Sequence, residues 1–131
     1  MSRILLIEDH PTNRKLIGDI LRRAGHEVQE AATADEGIPL AIRERPDLIV
    51  MDIQLPGTDG LAATRLLRNG AATSSIPILA VTAYAMRGDE KRILAAGCDG
   101  YVAKPISYKL LLAEVTRLTS RNLPEERAWR P

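Results

Sequence analysis

The chain has 131 residues, 45% of them hydrophobic, which is enough for one domain with a proper core. Eighteen basic and seventeen acidic side chains give a net charge of +1, so the overall charge does not favour a nucleic acid or a membrane as a partner. The single cysteine, Cys98, excludes an internal disulfide framework, and with no membrane-spanning run and no room for a signal peptide it predicts a cytoplasmic protein.

Short apolar runs alternate with amphipathic stretches along the whole chain. Apolar runs without polar alternation are typical of strands that are covered on both faces. The predicted strands are Ile4–Ile7, Glu27–Ala31, Leu48–Asp52, Ile78–Val81 and Gly100–Ala103. The predicted helices begin near Pro11, Ala34, Gly60, Asp89 and Ser107.

Apolar residues at helical spacing predict which sides of the first two helices face the core. They are Leu16, Ile17, Ile20, Leu21 and Ala24 in the first helix, and Ala34, Ile38, Ala41 and Ile42 in the second. Thr33 and Glu36 form a capping-box pattern at the start of the second helix. Pro39 is expected to kink or shorten that helix, because proline lacks a backbone N–H.

Five strands that alternate with five helices predict an α/β fold, a parallel five-stranded sheet with helices on both faces. We expect the doubly wound order 2-1-3-4-5, in which ligands bind beyond the carboxyl ends of the first and third strands. The predicted domain covers residues 1–120, and residues 121–131 are expected to form a frayed polar tail.

The first and third strands end on acids, namely Glu8, Asp9 and Asp52. Adjacent strands lie about 4.8 Å apart, so these carboxylates should share one small pocket. Like charges that close need a raised pKa or a counter-ion, and hard oxygen ligands suit Mg²⁺ better than zinc.

The fourth and fifth strands end on Thr82 and Lys104, which add a hydroxyl and an ammonium to the same edge of the sheet. Such a group can hold a phosphoryl group, with Asp52 as the nucleophile that forms an acyl phosphate. No Walker loop or glycine-rich turn follows the first strand, so the predicted donor is another protein or a small phosphodonor.

These strand ends resemble the receiver domains of two-component signalling, the CheY-like family. The matching residues are Glu8-Asp9, Asp52 with the loop that follows it to Gly57, Thr82-Ala83, Tyr101 and Lys104-Pro105, and they span the chain from Ile4 to about Leu118. The sequence from Val81 to Glu90, together with Gly97-Cys98 and Lys104 to Ser107, most resembles that of single-domain receivers of the DivK type.

The resemblance implies a chemical role for each acid. Asp52 is the expected phospho-acceptor. The expected Mg²⁺ ligands are Asp9, Asp52 and the backbone carbonyl of Gln54, with Glu8 acting through water. Gln54 and Tyr84 lie where the family tunes its rate of dephosphorylation.

The resemblance also implies a switch. Thr82 supplies the switch hydroxyl and Tyr101 is the aromatic partner that turns inward. Lys104 contacts the phosphoryl group, and the bond from Lys104 to Pro105 is expected to be cis.

The implied function is that of a response regulator in a phosphorelay. It accepts a phosphoryl group from a sensor histidine kinase or a histidine phosphotransfer protein, catalyses its own phosphorylation and dephosphorylation, and changes its contacts with a downstream effector protein. The donor is expected to dock near the first helix, Pro105 and Ile106, with no nucleic acid or membrane partner. The Met1 start and the end soon after the fifth helix favour a stand-alone protein.

Three other interpretations share parts of this pattern. A receiver module of a hybrid histidine kinase shares many of the same sequence motifs. An aspartate-based phosphohydrolase normally carries a second acid two residues after its nucleophile, where this chain has Gln54. A flavodoxin-like FMN carrier shares the fold, but in this chain the loop after the first strand opens with Glu8-Asp9, whose charges would repel the FMN phosphate.

Overall fold

The computed structural model describes residues 2–54, 59–83 and 89–120. The predicted loop around Pro56, Tyr84 and the predicted tail at residues 121–131 lie outside these described residues. Within the described ranges, no helix combines the length and the apolar character that crossing a membrane requires.

Strands and helices alternate along the described chain, as the sequence predicts. The strands are β1 (Arg3–Ile7), β2 (Glu27–Ala31), β3 (Leu48–Asp52), β4 (Ile78–Thr82) and β5 (Gly100–Ala103). The helices are α1 (Pro11–Arg23), α2 (Ala34–Glu44), α3 (Gly60–Asn69), α4 (Asp89–Ala96) and α5 (Tyr108–Ser120). The predicted type and order of every one of these elements are confirmed.

The strands form one parallel sheet in the order β2-β1-β3-β4-β5, which confirms the predicted topology. The ladder continues just past three strand ends, where the backbone N–H groups of Glu8, Ile53 and Lys104 donate to neighbouring strands over 3.0, 3.0 and 2.8 Å. The residues that follow β1, β3 and β5 are therefore held at one edge of the sheet by the same hydrogen bonds that hold the strands.

The sheet separates two layers of core. β3 and β4 are buried along their whole length, as strands covered on both faces should be. Helices α2, α3 and α4 contribute to one layer with Ala34, Ala41, Ala63, Leu67 and Ile93. Helices α1 and α5 contribute to the other with Ile17, Leu21, Leu111, Val115 and Leu118.

Three residues predicted to face the core lie at the surface instead. Leu16 is 46% exposed and Ile42 is 51% exposed, and Ala24 is exposed as well. The apolar stripes of α1 and α2 are wider than the strip that contacts the sheet, so their outer members remain in solvent.

Pro39 does not shorten α2, which continues through it to Glu44. The residue is exposed, so its ring occupies the solvent side of the helix. Both helix ends are secured, since Thr33 Oγ1 accepts a hydrogen bond from Glu36 N and Arg45 N donates to Ala41 O. The expectation that Pro39 shortens the helix is therefore wrong, and the alternative expectation of a kink stays a prediction.

Helix α3 starts in direct contact with the end of β3. A Cβ at Gly60 would lie 2.5 Å from the carbonyl oxygen of Asp52 and 2.5 Å from Cα of Ile53. The backbone N–H of Gly60 also donates to the carbonyl of Ile53 over 2.9 Å. The missing side chain thus sets how closely α3 can approach the strand that carries Asp52.

Gly60→Ala should therefore lower the free energy of unfolding by about 2 kcal/mol, because backbone atoms on both sides must shift. Gly18→Ala is the matched control in α1, where the new Cβ would meet only the ends of Arg22 and Glu30, at 3.0 and 3.2 Å. These flexible ends can move, and the helix gains up to about 1 kcal/mol of propensity. Urea denaturation measures both effects, and equal losses in the two variants would contradict the close approach of α3.

Candidate functional site

The predicted acids come together at the carboxyl edge of the sheet. Glu8 follows β1, Asp9 lies in the loop before α1, and Asp52 is the last residue of β3. One carboxylate oxygen from each lies within 4.8 Å of the others. Glu8 is 1% exposed and Asp52 is 3% exposed, whereas Asp9 is partly exposed. The pocket is therefore buried at its base, and Asp9 is its most solvent-accessible acid.

Both carboxylate oxygens of Asp52 have a defined partner. Oδ1 accepts a hydrogen bond from the backbone N–H of Gln54 over 3.0 Å. Oδ2 accepts one from Nζ of Lys104 over 3.2 Å. The carboxylate is thus oriented by the turn that follows β3 and by a side chain that follows β5.

The ammonium of Lys104 is shared between two acids. Its Nζ lies 3.3 Å from Oε1 of Glu8 in addition to its bond with Asp52. Burial favours the neutral amine, but the charges of Asp52 and Glu8 outweigh it and hold the pKa of Lys104 above its usual value. Lys104 therefore remains a cation in this pocket. The peptide bond to Pro105 is cis, as predicted.

Glu8 has a buried carboxylate oxygen that accepts no hydrogen bond among the described residues. Burial raises the pKa of Glu8 to about 7, a hydrogen bond from the backbone N–H of His10 opposes the rise, and Asp52 adds to it. Oε2 accepts that His10 bond over 3.1 Å. Oε1 is buried and accepts no hydrogen bond from any described residue, although it is ion-paired with Lys104. A buried carboxylate oxygen in this state has capacity for a further cation or proton.

The donor set fits Mg²⁺. Among the described residues, three carboxylates form the group and one ammonium pairs with it, which leaves an excess of negative charge. Hard oxygen donors at a partly open pocket are the ligands that Mg²⁺ prefers. Oε1 of Glu8, which is ion-paired with Lys104 but accepts no hydrogen bond among the described residues, supports the same conclusion. Glu8, Asp9 and Asp52 could therefore hold such an ion.

Thr82 ends β4 beside this pocket and is fully buried. The backbone N–H of Lys104 donates to the Thr82 carbonyl over 2.8 Å, which joins the ends of β4 and β5. On β5, three residues before Lys104, Tyr101 is partly buried and packs against the core layer of α2, α3 and α4. The Glu90 carboxylate on α4 raises the pKa of Tyr101, and burial and a hydrogen bond from the phenol to Glu90 act in the same direction.

Pro105 and Ile106 lie at the start of the connection to α5, and Ile106 lines an apolar groove of about 490 Å³. The groove runs between α1 and α5 and is lined by Leu16, Ile20, Arg23, Ala24, Ile106, Tyr108 and Leu112. The groove is not predicted from the sequence, because helical periodicity assigns Leu16 and Ala24 to the core. The signal for it was an apolar stripe on α1 wider than one contact face requires.

Arg14 also contacts the site, and the sequence does not predict this contact. Its Nη1 donates to the carbonyl oxygens of Glu8 and Asp9 over 3.0 and 3.4 Å. It therefore contacts the backbone of two of the three acids without touching their carboxylates. An arginine on an amphipathic helix gives no sequence signal for such a contact.

The chain matches the family model described as the response regulator receiver domain over residues 4–116. A similar relative is the polar-differentiation response regulator DivK of Brucella anthropi, 44% identical over 104 residues, which are 79% of this chain and 85% of the relative. DivK of Brucella ovis is 43% identical over the same shares.

Solved structures show the same likeness. The receiver domain of the sensor histidine kinase PA1611 from Pseudomonas aeruginosa has a TM-score of 0.85 at 38% identity, covering 91% of this chain and 98% of that one. That structure has a magnesium ion coordinated in its active-site cleft. The chemotaxis response regulator CheY4 of Vibrio cholerae has a TM-score of 0.85 at 27% identity, covering 90% and 98%.

The raised pKa of Glu8 predicts a pH-dependent stability in the absence of metal. Between pH 4.5, its ordinary pKa, and about 7, the folded protein holds a proton that the unfolded chain has lost. Stability contributed by Glu8 is thus present at pH 4.5 and is lost as the pH rises to about 7. Glu8→Gln removes this titration, so its free energy of unfolding relative to wild type should grow by about 2 kcal/mol from pH 5 to pH 8.

Urea denaturation in EDTA at the two pH values measures this difference. Glu27→Gln, which removes an exposed carboxyl from β2, is the matched control for loss of one charge. If the difference between Glu8→Gln and wild type were the same at pH 5 and pH 8, Glu8 would not carry the raised pKa.

Proposed function

The chain belongs to the response regulator receiver family of two-component signalling, and on that premise we propose that Asp52 accepts a phosphoryl group from a histidine-phosphorylated partner. The observation that carries the proposal is the setting of the Asp52 carboxylate. It ends a buried strand, is 3% exposed, and has a cationic donor on one oxygen and a backbone N–H on the other. Receivers interact with histidine kinases and with downstream effectors. The histidine-containing partner supplies the phosphohistidine that serves as the phosphoryl donor.

In the proposed transfer, a carboxylate oxygen of Asp52 attacks phosphorus in line with the P–N bond of the phosphohistidine. The P–N bond breaks as the new P–O bond forms, and the leaving imidazole keeps the electron pair and takes up a proton. Lys104 already contacts Asp52, so its ammonium can follow the charge onto a phosphoryl oxygen. Thr82, at the neighbouring strand end, supplies a hydroxyl for another phosphoryl oxygen.

We propose that Asp9, Asp52 and the backbone carbonyl of Gln54 hold Mg²⁺, with Glu8 acting through water. The support is the cluster of carboxylates within 4.8 Å and the buried Glu8 Oε1, which accepts no hydrogen bond among the described residues. The magnesium ion in the PA1611 receiver is further support. When bound, Mg²⁺ would offset the negative charge of the carboxylates and of the phosphoryl oxygens.

The proposed switch couples this chemistry to the face formed by α4, β5 and α5. Movement of Thr82 toward the phosphoryl group makes room for the ring of Tyr101 to turn inward. In the present structure the Glu90 carboxylate on α4 raises the pKa of Tyr101. The inward turn would separate the Tyr101 hydroxyl from Glu90. The result is a population shift between two arrangements that an effector protein can distinguish.

The proposed docking region for the phosphoryl donor is the groove between α1 and α5, together with Pro105 and Ile106. Its support is an apolar lining that includes the exposed side chain of Leu16. Self-catalysed phosphorylation and dephosphorylation belong to the same proposal. The cytoplasmic location, the receiver limits at residues 1–120 and the tail at residues 121–131 stay predictions.

Incubation with acetyl phosphate should add one phosphoryl group to the wild-type protein when Mg²⁺ is present, and none when EDTA is present. Asp52→Asn should remove this gain while the protein stays folded, because the acceptor oxygen is lost. Asp19→Asn is the control, since it changes an exposed aspartate on α1. Intact-mass spectrometry measures the gain.

A phosphoryl gain that persists in Asp52→Asn would place the acceptor elsewhere. If wild type gains no mass and also fails to bind beryllofluoride, the phosphoryl-transfer proposal is wrong and the domain acts by docking alone.

Thr82→Ala should leave phosphorylation of Asp52 in place but weaken the response of Tyr101 by more than half. Thr82→Ser keeps the hydroxyl and should respond nearly as wild type does. Fluorine NMR of the protein labelled with fluorotyrosine measures the shift of the Tyr101 resonance on addition of beryllofluoride, with Tyr101→Phe to assign the signal. An unchanged shift in Thr82→Ala would contradict the switch.

A further inference from the structure

The loop between β1 and α1, residues 8–10, carries two of the three acids and is called the acidic loop below. Helix α1 itself holds this loop with few hydrogen bonds. The N-cap residue His10 makes no side-chain capping bond, and no acid lies in the first turn of the helix. The carbonyl of His10 accepts the first helical bond, from Arg14 N over 2.9 Å. The carbonyls of Glu8 and Asp9 precede the helix, so the hydrogen bonds within the helix do not hold them.

Arg14 provides a donor for these carbonyls from the first turns of α1. Its Nη1 donates to Glu8 O over 3.0 Å and to Asp9 O over 3.4 Å. Its Nε lies 3.4 Å from Oε1 of Glu30 on β2. The guanidinium therefore joins the acidic loop, the helix that follows it and the edge strand through one rigid planar group.

Glu30 also binds a second arginine of α1, two turns further along. Nη2 of Arg22 lies 2.8 Å from Oε2 of Glu30 and donates to the carbonyl of Val28. The two arginines thus share one carboxylate. Among the described residues, Arg22 makes no hydrogen bond or ion pair with Glu8 or Asp9, and its side chain is 45% exposed against 24% for Arg14. Arg22 is therefore a matched reference for the effect of losing an ion pair with Glu30.

We propose that Arg14 is a positioning residue for the metal site, which fixes the backbone of Glu8 and Asp9 so that their carboxylates converge with Asp52. The inference rests on the proposed function, since it assumes that this site binds Mg²⁺. Mg²⁺ demands near-ideal octahedral geometry, so its affinity depends on how well the ligands are oriented before binding. Holding two carbonyls of the acidic loop restricts the directions in which the Asp9 side chain can point.

Electrostatics alone predicts the opposite effect. The charge of Arg14 lies beside the acidic loop and repels an incoming Mg²⁺, so removing it would tighten metal binding if charge were all that mattered. Orientation and charge therefore give opposite signs for the same substitution. The direction of the change in affinity decides between them.

The test is a titration of the full chain with MgCl₂, followed by backbone amide NMR. Arg14→Met keeps the aliphatic stem but loses the donors, and should weaken Mg²⁺ binding about tenfold. Arg22→Met should stay within about twofold of wild type. Arg14→Lys should lie between wild type and Arg14→Met, because one ammonium cannot contact both the loop carbonyls and Glu30.

Two measurements without metal separate positioning from general stability. Urea denaturation should show similar small losses for Arg14→Met and Arg22→Met, since both remove a partly exposed ion pair with Glu30. Hydrogen exchange should be faster in the peptide that contains Asp9 and His10 for Arg14→Met only.

Mg²⁺ affinity that is unchanged or tighter in Arg14→Met overturns the inference, as does an equal loss of affinity in Arg22→Met. Either result leaves the proposed function standing, because wild type still binds the ion. Failure of wild type itself to show saturable shifts, with Asp9→Asn giving the same titration, overturns the metal proposal and this inference together.

Discussion

In the part of the chain that the structure describes, three carboxylates share one pocket with one ammonium, and the rest of the site depends on that imbalance. Lys104 pairs with both Asp52 and Glu8, which leaves the group short of positive charge. Burial raises the pKa of Glu8 to about 7, so near neutral pH a proton can supply part of what is missing. A divalent cation can supply more, which is why a metal, a proton and the Lys104 ammonium act on the same few oxygens. Any group that adds or moves charge at Asp52 must disturb this balance, and that disturbance can drive a switch.

The fold holds the acids together against their mutual repulsion. Asp52 ends a strand that is buried along its length, and the ladder bonds beyond the strand ends fix Glu8 and Lys104 beside it. Gly60 lets α3 approach the carbonyl of Asp52 more closely than any side chain would allow. On the other side, Arg14 binds the carbonyls of the acidic loop. The site is therefore built from backbone positions that the sheet and two helix starts determine.

The sequence predicted the elements, the sheet order and the acid cluster for one physical reason. Parallel strands carry their carboxyl ends to the same edge, so residues far apart in the chain meet there once the strands are recognised. Contacts that depend on the width of a helix face or on the reach of a long side chain could not be predicted in this way. Periodicity placed Leu16 and Ile42 on apolar stripes but could not show that the sheet covers only part of each stripe. The partners of Arg14 and Glu30 follow from tertiary placement, which no local pattern records.

In the proposed mechanism, Lys104 is shared between Asp52 and Glu8 until a phosphoryl group on Asp52 draws its ammonium away. A crystal structure of the protein with Mg²⁺ and beryllofluoride tests this most directly. We predict beryllofluoride on an oxygen of Asp52, with Nζ of Lys104 within hydrogen-bond distance of a fluoride. We also predict that Mg²⁺ is bound by Asp9 and Asp52. An adduct at Asp52 with Lys104 still on the carboxylates, or a metal bound away from these acids, would contradict it.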